Sequence, residues 1–482
     1  MKNLLEKYRH MSLAAKVTIW SVVCGVLQKC IAIITTPIFT RIMTTEQYGQ
    51  FTVYNSWMQT FAVLTTLRLN WGVFSKGMSK YKHDRDGYTS TMQTVTFLLT
   101  LGWFLVYLVF REPVNALTEL PTFMMIAMFA EMAVAPAIDF WTTRQRFDYV
   151  YKPVVLRTML MVVLNTVLGV IAVLCTKEKG YARILTYVAL DICFGIVFFV
   201  YNLNKGKTLF KWEYAKFAVA FNLPLLLHYC SQQVLDQFGK IMVQKFAGIA
   251  TAGIYGVAYN MGMLMKIITQ NMNSGLVPWQ YEKLEKREYS QLDDVLFMVY
   301  ALVGACALAL SLFAPEVVLI LSSRTYYEAV YAIPPLALGV FFMFMYTTFA
   351  NVEFYLEKNK FSMYISLFVA VLNIALNYVL IQCFGYLAAA YVSLISYIAY
   401  AFGHYMYMSF NVKKELGVER IFNTKRLVAL SAGLVFCNVG VVFLYDHIVL
   451  RYGLVVVGLV ALYVFREKVK QILRLVMARK RA

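Results

Sequence analysis

The side chains able to do chemistry in this sequence are charged and carboxamide groups set within strongly apolar segments. Lys29, Arg68, Lys240 and Lys266 supply cations, and Glu131, Asp191 and Asp236 supply carboxylates. Gln233, Asn260, Gln270 and Asn271 supply amides. A charge at mid-bilayer costs roughly 2.5–3.5 kcal/mol on insertion scales, so each must face a wet interior, a partner or the headgroups. In a wet interior, ammonium and guanidinium groups attract an anion, amides hydrogen-bond hydroxyls, and a carboxylate can take up H+ or Na+.

Helical angle sorts these groups. At about 100° per residue, Lys29 falls within roughly 20° of Thr18, Gly25 and Thr36, on a small polar stripe, where it faces the interior or reaches the outer headgroups. Thr52, Asn55, Ser56, Gln59, Thr66 and Asn70 share a face from which Arg68 points roughly 160° away, toward the interface. Asn222, Tyr229, Gln232, Gln233, Asp236, Lys240 and Gln244 fit an arc of about 120°. Within that arc Asp236 and Lys240 are placed to pair, and Asn222 with Pro224 allows a bend. The next segment divides into an apolar face (Val257, Met261, Leu264, Met265, Ile268, Met272) and a polar one with Tyr255, Tyr259, Asn260, Lys266, Gln270, Asn271 and Ser274. Lys266 is the leading anion-binding candidate. Asp236, Glu131 and Asp191 are the ion-coupling candidates, with helix packing as the alternative for Glu131, Asp139, Asp191 and Glu353.

Lipid must be the solvent of the elements that carry them. The 482 residues are 60% hydrophobic and only 15% charged, with a mean hydropathy of +0.61, where soluble domains carry about 25% charged residues. Apolar segments fall near 14–36, 48–72, 91–110, 121–141, 153–175, 183–203, 217–243, 250–277, 293–314, 330–354, 362–382, 386–409, 427–445 and 449–465, about fourteen transmembrane helices of an all-α integral membrane protein. Of the 45 Lys and Arg, about 31 lie in the terminal tails and the loops after even-numbered spans, which places both termini in the cytoplasm.

Other classes fit poorly. The net charge of +19 is spread over short loops, which argues against nucleic acid. The eight cysteines have neither ligand spacing nor a nearby histidine, so no metal is expected. Gly206-Lys207-Thr208 mimics the end of a phosphate-binding loop, but Tyr201 stands where its first glycine belongs. The longest connections, about 15 residues, leave little room for external catalytic groups. No catalytic residue and no cofactor is expected beyond a coupling H+ or Na+. The basic, polar stretch before the first span leads into an apolar run without a small-residue cleavage site, so that run is expected to remain as the first helix.

Two segments repeat. Phe39-Thr40-Arg41 through Tyr48-Gly49 and Lys245-Phe246 through Ala252-Gly253 have matching Arg41-to-Gly49 and Lys245-to-Gly253 separations, and each joins an odd span to an even one. This is the pattern of two six-helix copies, 1–216 and 217–410, followed by two further spans and a basic tail, 411–482. Thr36-Pro37-Ile38-Phe39-Thr40-Arg41 with Tyr48-Gly49 resembles the signature of bacterial polysaccharide-repeat flippases (Wzx-type). These belong to the multidrug, oligosaccharidyl-lipid and polysaccharide exporter superfamily. Asp236, Gly253-Ile254-Tyr255, Arg144-Gln145-Arg146-Phe147 and Glu357-Lys358-Asn359-Lys360 are also similar to that family's pattern.

The resemblance implies two pseudo-symmetric lobes forming an inward- or outward-facing V. It also implies an undecaprenyl-pyrophosphate-linked oligosaccharide as substrate, flipped across the bacterial inner or plasma membrane by alternating access. Membrane lipids and polysaccharide assembly proteins would be the partners. A multidrug antiporter on the same scaffold and a membrane glycosyltransferase or polymerase are the alternatives.

Overall fold

The computed structural model describes Trp20 and residues 34–358 and 360–464, and among them there are helices and turns but no strand. The chain divides into two compact units, Met1–Gln233 and Val234–Ala482. Among the described residues, nine helices are long and apolar enough to cross a bilayer. They coincide with the expected spans 3–6 and 9–13. The polar spans 2, 7 and 8 are shorter or broken, and these irregularities position the charged groups.

In the first unit, residues 34–42 are helical and α1 (Thr45–Thr66) follows across a turn capped by Thr44. Gln47 N donates to Thr44 Oγ1 at 3.3 Å, and Thr44 N donates back to Gln47 Oε1 at 3.1 Å, so two otherwise orphaned amides are satisfied. The helix stops well short of the expected end near 72. Leu67 and Arg68 take left-handed φ values of 47° and 51°, which costs roughly 1–2 kcal/mol per non-glycine residue. Asn222 offsets that cost, its Nδ2 donating to the carbonyls of Leu67 and Arg68 at 2.8 and 3.0 Å.

Next come α2 (Gly72–Lys80), α3 (Arg85–Val109), α4 (Arg111–Thr118), α5 (Thr122–Val134) and α6 (Pro136–Phe147). The last two form one span interrupted at Pro136, whose nitrogen cannot donate. The unit closes with α7 (Lys152–Leu174), α8 (Lys179–Gly206), α9 (Trp212–Asn222), a 3-10 turn (Leu223–Leu225) at the expected bend, and α10 (Leu226–Gln233). Helix α8 packs against α1, α3, α5, α6 and α7 and is the hub.

The loops after spans 2, 4 and 6 meet at one end of this unit. Arg144 Nε lies 2.9 Å from Asp86, Ser90 Oγ donates to the Thr208 carbonyl at 2.6 Å, and Lys211 pairs with Asp84.

The second unit opens with a π-helical segment (Val234–Phe238), then α11 (Gly239–Ala247), α12 (Ile249–Gly262), α13 (Leu264–Glu285), α14 (Tyr289–Leu312) and α15 (Ala314–Leu321). A 3-10 segment (Arg324–Tyr331) leads to α16 (Ile333–Tyr355), α17 (Lys360–Phe384), α18 (Leu387–Leu416), α19 (Thr424–Val442) and α20 (Ile448–Val464). Helix α16 is the core, touching α12, α13, α14, α18 and α19, with Phe341, Phe344 and Phe349 buried against Tyr300 and Phe422. Helices α12 and α16 approach closely because Gly262 lacks a Cβ, which would sit 2.7 Å from that of Leu336.

The two segments of the expected repeat each contain a turn between helices. Aligning Arg41 with Lys245 places Thr44 on Gly248, and each occupies the turn between its two helices, capped by the threonine hydroxyl in one copy and allowed by glycine at φ 89° in the other.

Candidate functional site

Each unit gathers charged side chains in its interior. In the first, a cavity of about 260 Å³ is lined by Arg68, Asn70, Glu131, Asp139, Arg157 and Asp191, with Gln59 and Thr66 beside them. The unwound end of α1 delivers Arg68, whose guanidinium also stacks on Trp71 at 4.5 Å. It also delivers Asn70, whose Nδ2 donates to Asp139 Oδ2 at 2.8 Å. Glu131 and Asp139, on either side of the interruption at Pro136, both line the cavity. Tyr54 Oη donates to the buried Glu131 at 3.2 Å, and the Glu131 and Asp191 carboxyls lie within hydrogen-bonding reach of each other. Two facing carboxyls bond only when one of them carries a proton, because an ionised carboxylate has no donor.

In the second unit, the π-helical segment presents Asp236. Lys266 Nζ donates to both its oxygens, at 2.8 and 3.0 Å, and Tyr259 Oη donates to Oδ1 at 3.1 Å. Lys240 is buried at 8% exposure, its Nζ donating to Gln237 Oε1 at 3.0 Å and lying 4.0 Å from the centre of the Tyr259 ring. The cluster holds two ammonium groups against one carboxylate.

The sequence-expected residues are thus partly redistributed. Lys29 lies outside the described residues. Arg68 does not point away from the polar face, because the helix on which that angle was reckoned has already ended at Thr66. Asp236 pairs with Lys266 rather than Lys240, since the wider π turn and the break at Met263 reset the angular register. The polar face expected from Tyr255 to Ser274 is likewise split. Tyr255 and Tyr259 are buried and Ile268 is exposed, whereas Gln270 and Asn271 are exposed and Asn260 half-buried. Gln233 is buried, with its Oε1 lacking a hydrogen-bond partner among the described residues. Arg157, Tyr54 and Tyr187, which contacts Asp191, belong to the first-unit network and were not singled out from sequence. The rule that intramembrane charges are functional by default would have found Arg157.

Nine long apolar helices among the described residues, with charged interiors in both units, define a polytopic all-helical membrane protein. A family model described as "Polysaccharide biosynthesis protein" matches residues 14–283, more than half of the chain, and the protein belongs to that family. The MatE model matches residues 224–379. Among solved structures, the fold is similar to the lipid II flippase MurJ in an inward closed conformation (TM-score 0.64, 13% identity, covering 94% of this chain and 100% of that one). It is also similar to an inward-facing MATE family multidrug resistance transporter of the MOP superfamily (TM-score 0.55, 15% identity, covering 82% and 96%). The chain is 24% identical over 172 residues to Lsg locus protein 1 of Haemophilus influenzae, covering 34% of this chain and 43% of that one. It is 24% identical over 252 residues to an uncharacterized membrane protein of Methanocaldococcus jannaschii, covering 50% and 59%. Both matches span less than two thirds of those relatives. The polysaccharide family expected from the Thr36–Gly49 signature is therefore the family found.

Proposed function

We propose that this transporter flips a polyprenyl-pyrophosphate-linked oligosaccharide repeat unit across a bacterial cytoplasmic membrane, with both termini cytoplasmic, for surface polysaccharide assembly. The observation that carries this reading is the pair of guanidinium groups, Arg68 and Arg157, opening onto one interior cavity beside the amides of Gln59 and Asn70. Guanidinium forks match phosphate oxygens and amides match sugar hydroxyls. The meeting of the basic loops after spans 2, 4 and 6 at one end of the first unit supports the orientation.

For coupling, the reading assigns a proton to the Glu131–Asp191 pair. Asp236, already bound by Lys266, is left to balance the lysines of the second unit. Extrusion of an organic cation is the competing reading, and the three carboxyls in the same cavity favour it. A deletion strain separates the two. Flipping predicts accumulation of intact lipid-linked repeat units facing the cytoplasm, and loss of drug resistance with normal glycan would sink it.

A further inference from the structure

A second feature of the first unit faces outward. Between α3 and α9 runs a groove of about 440 Å³, walled by Val95, Leu98 and Leu99 on one side and Ala215, Val219 and Ala220 on the other. Two alanines on one wall leave the space that larger side chains would fill. At its mouth stand Phe210 and Trp212, ring centroids 6.2 Å apart, Trp212 being 70% exposed. Among the described residues, the one charged residue that lines the groove is Lys216. It is exposed and, unlike Lys211, which pairs with Asp84, has no carboxylate partner among the described residues. Around it the segment Lys205-Gly206-Lys207-Thr208-Leu209-Phe210-Lys211-Trp212 interleaves cations with large apolar side chains, the composition of a headgroup-level anchor.

We propose that this groove binds an anionic phospholipid of the adjoining leaflet, one acyl chain lying between α3 and α9 and the phosphate meeting Lys216. Trp212 sets the headgroup level. Lys216 sits one helical turn, about 6 Å, further along α9, and its four-carbon stem reaches back over that distance. The chain supplies contact that any lipid would give, whereas the unpartnered ammonium and its basic neighbours select for net negative charge. This inference is independent of what the protein transports.

The test uses the full chain in nanodiscs and quenching of Trp212 by brominated-chain phosphatidylglycerol or phosphatidylcholine, taken as the difference between the wild type and Trp212→Phe. Wild type should favour phosphatidylglycerol by at least about fivefold. Lys216→Ala should erase most of that preference, Lys216→Arg should keep it, and Ala220→Phe, at an exposed position, should weaken quenching by both lipids. Equal quenching by the two lipids in the wild type would overturn the proposal. So would an unchanged preference in Lys216→Ala, or displacement of phosphatidylglycerol by stoichiometric polyprenyl phosphate.

Discussion

Removing either partner of the Asp236–Lys266 pair should destabilise the second unit unequally. Asp236 accepts three charge-assisted bonds, from Lys266 Nζ at 2.8 and 3.0 Å and from Tyr259 Oη at 3.1 Å. Bonds to a charged group are worth roughly 1.5–3 kcal/mol each, and breaking a fully buried pair costs about 3–5 kcal/mol. The two side chains here are 25% and 26% exposed, which allows water to relieve part of that cost, so Asp236→Asn should cost roughly 2–4 kcal/mol. It also leaves Lys240 and Lys266 facing each other without a counter-charge. Lys266→Met should cost less, roughly 1–2 kcal/mol, because Lys240 carries a second ammonium one turn along from Asp236. The double variant should recover about 1–3 kcal/mol relative to the sum of the singles. Equilibrium unfolding in a defined mild detergent, with all four proteins read in parallel, gives the cycle. Additivity within about 0.5 kcal/mol, or a costlier Lys266→Met than Asp236→Asn, would refute the energetic coupling of Asp236 and Lys266.

Asn222→Ala removes both donors from the Leu67 and Arg68 carbonyls and should cost roughly 2–4 kcal/mol while freeing Arg68 from its left-handed turn, so accessibility labelling at a cysteine placed at Asn70 should rise. Glu131→Gln or Asp191→Asn should make transport insensitive to an imposed pH gradient, measured in vesicles, while leaving substrate binding in place. Asp84, outside the spans, is pushed up by burial but pulled further down by the Lys211 ammonium, Tyr214 and the Gly87 amide, giving a pKa below its ordinary 3.8. A depressed carboxyl stabilises the fold above its unfolded value and loses that contribution as pH falls through the native value. Asp84→Asn should therefore lower the melting temperature at pH 7, and the deficit should shrink below about pH 4.

How far the sequence carries the reading depends on which property of a segment does the folding. Membrane class and the strongly apolar spans were legible because hydrocarbon burial is additive along a segment. The windows at 293–314 and 427–445 land on α14 and α19. The polar spans were legible as special and not in detail. Helical-wheel angles assume an unbroken 3.6-residue period, and the left-handed turn at Leu67–Arg68, the π-helical segment around Asp236 and the break at Met263 each reset it. Partners distant in sequence were also hidden: Lys266 reaches a carboxylate 30 residues away, and Arg157 joins Arg68 only through the packing of α7 beside the cavity. At Thr44 and Gly248 the turn between two helices is a local requirement that threonine and glycine meet in different ways.

The most direct test of anion passage through a guanidinium-lined interior is reconstituted flipping. Purified protein in proteoliposomes is given a fluorescent polyprenyl-pyrophosphate oligosaccharide in the inner leaflet, and its arrival outside is read by a membrane-impermeant quencher. Wild type should deliver the lipid to the outer leaflet, and Arg68→Gln with Arg157→Gln should slow delivery at least about tenfold without loss of folded protein. Delivery at the wild-type rate by that double variant, or none by folded wild type, would contradict the account.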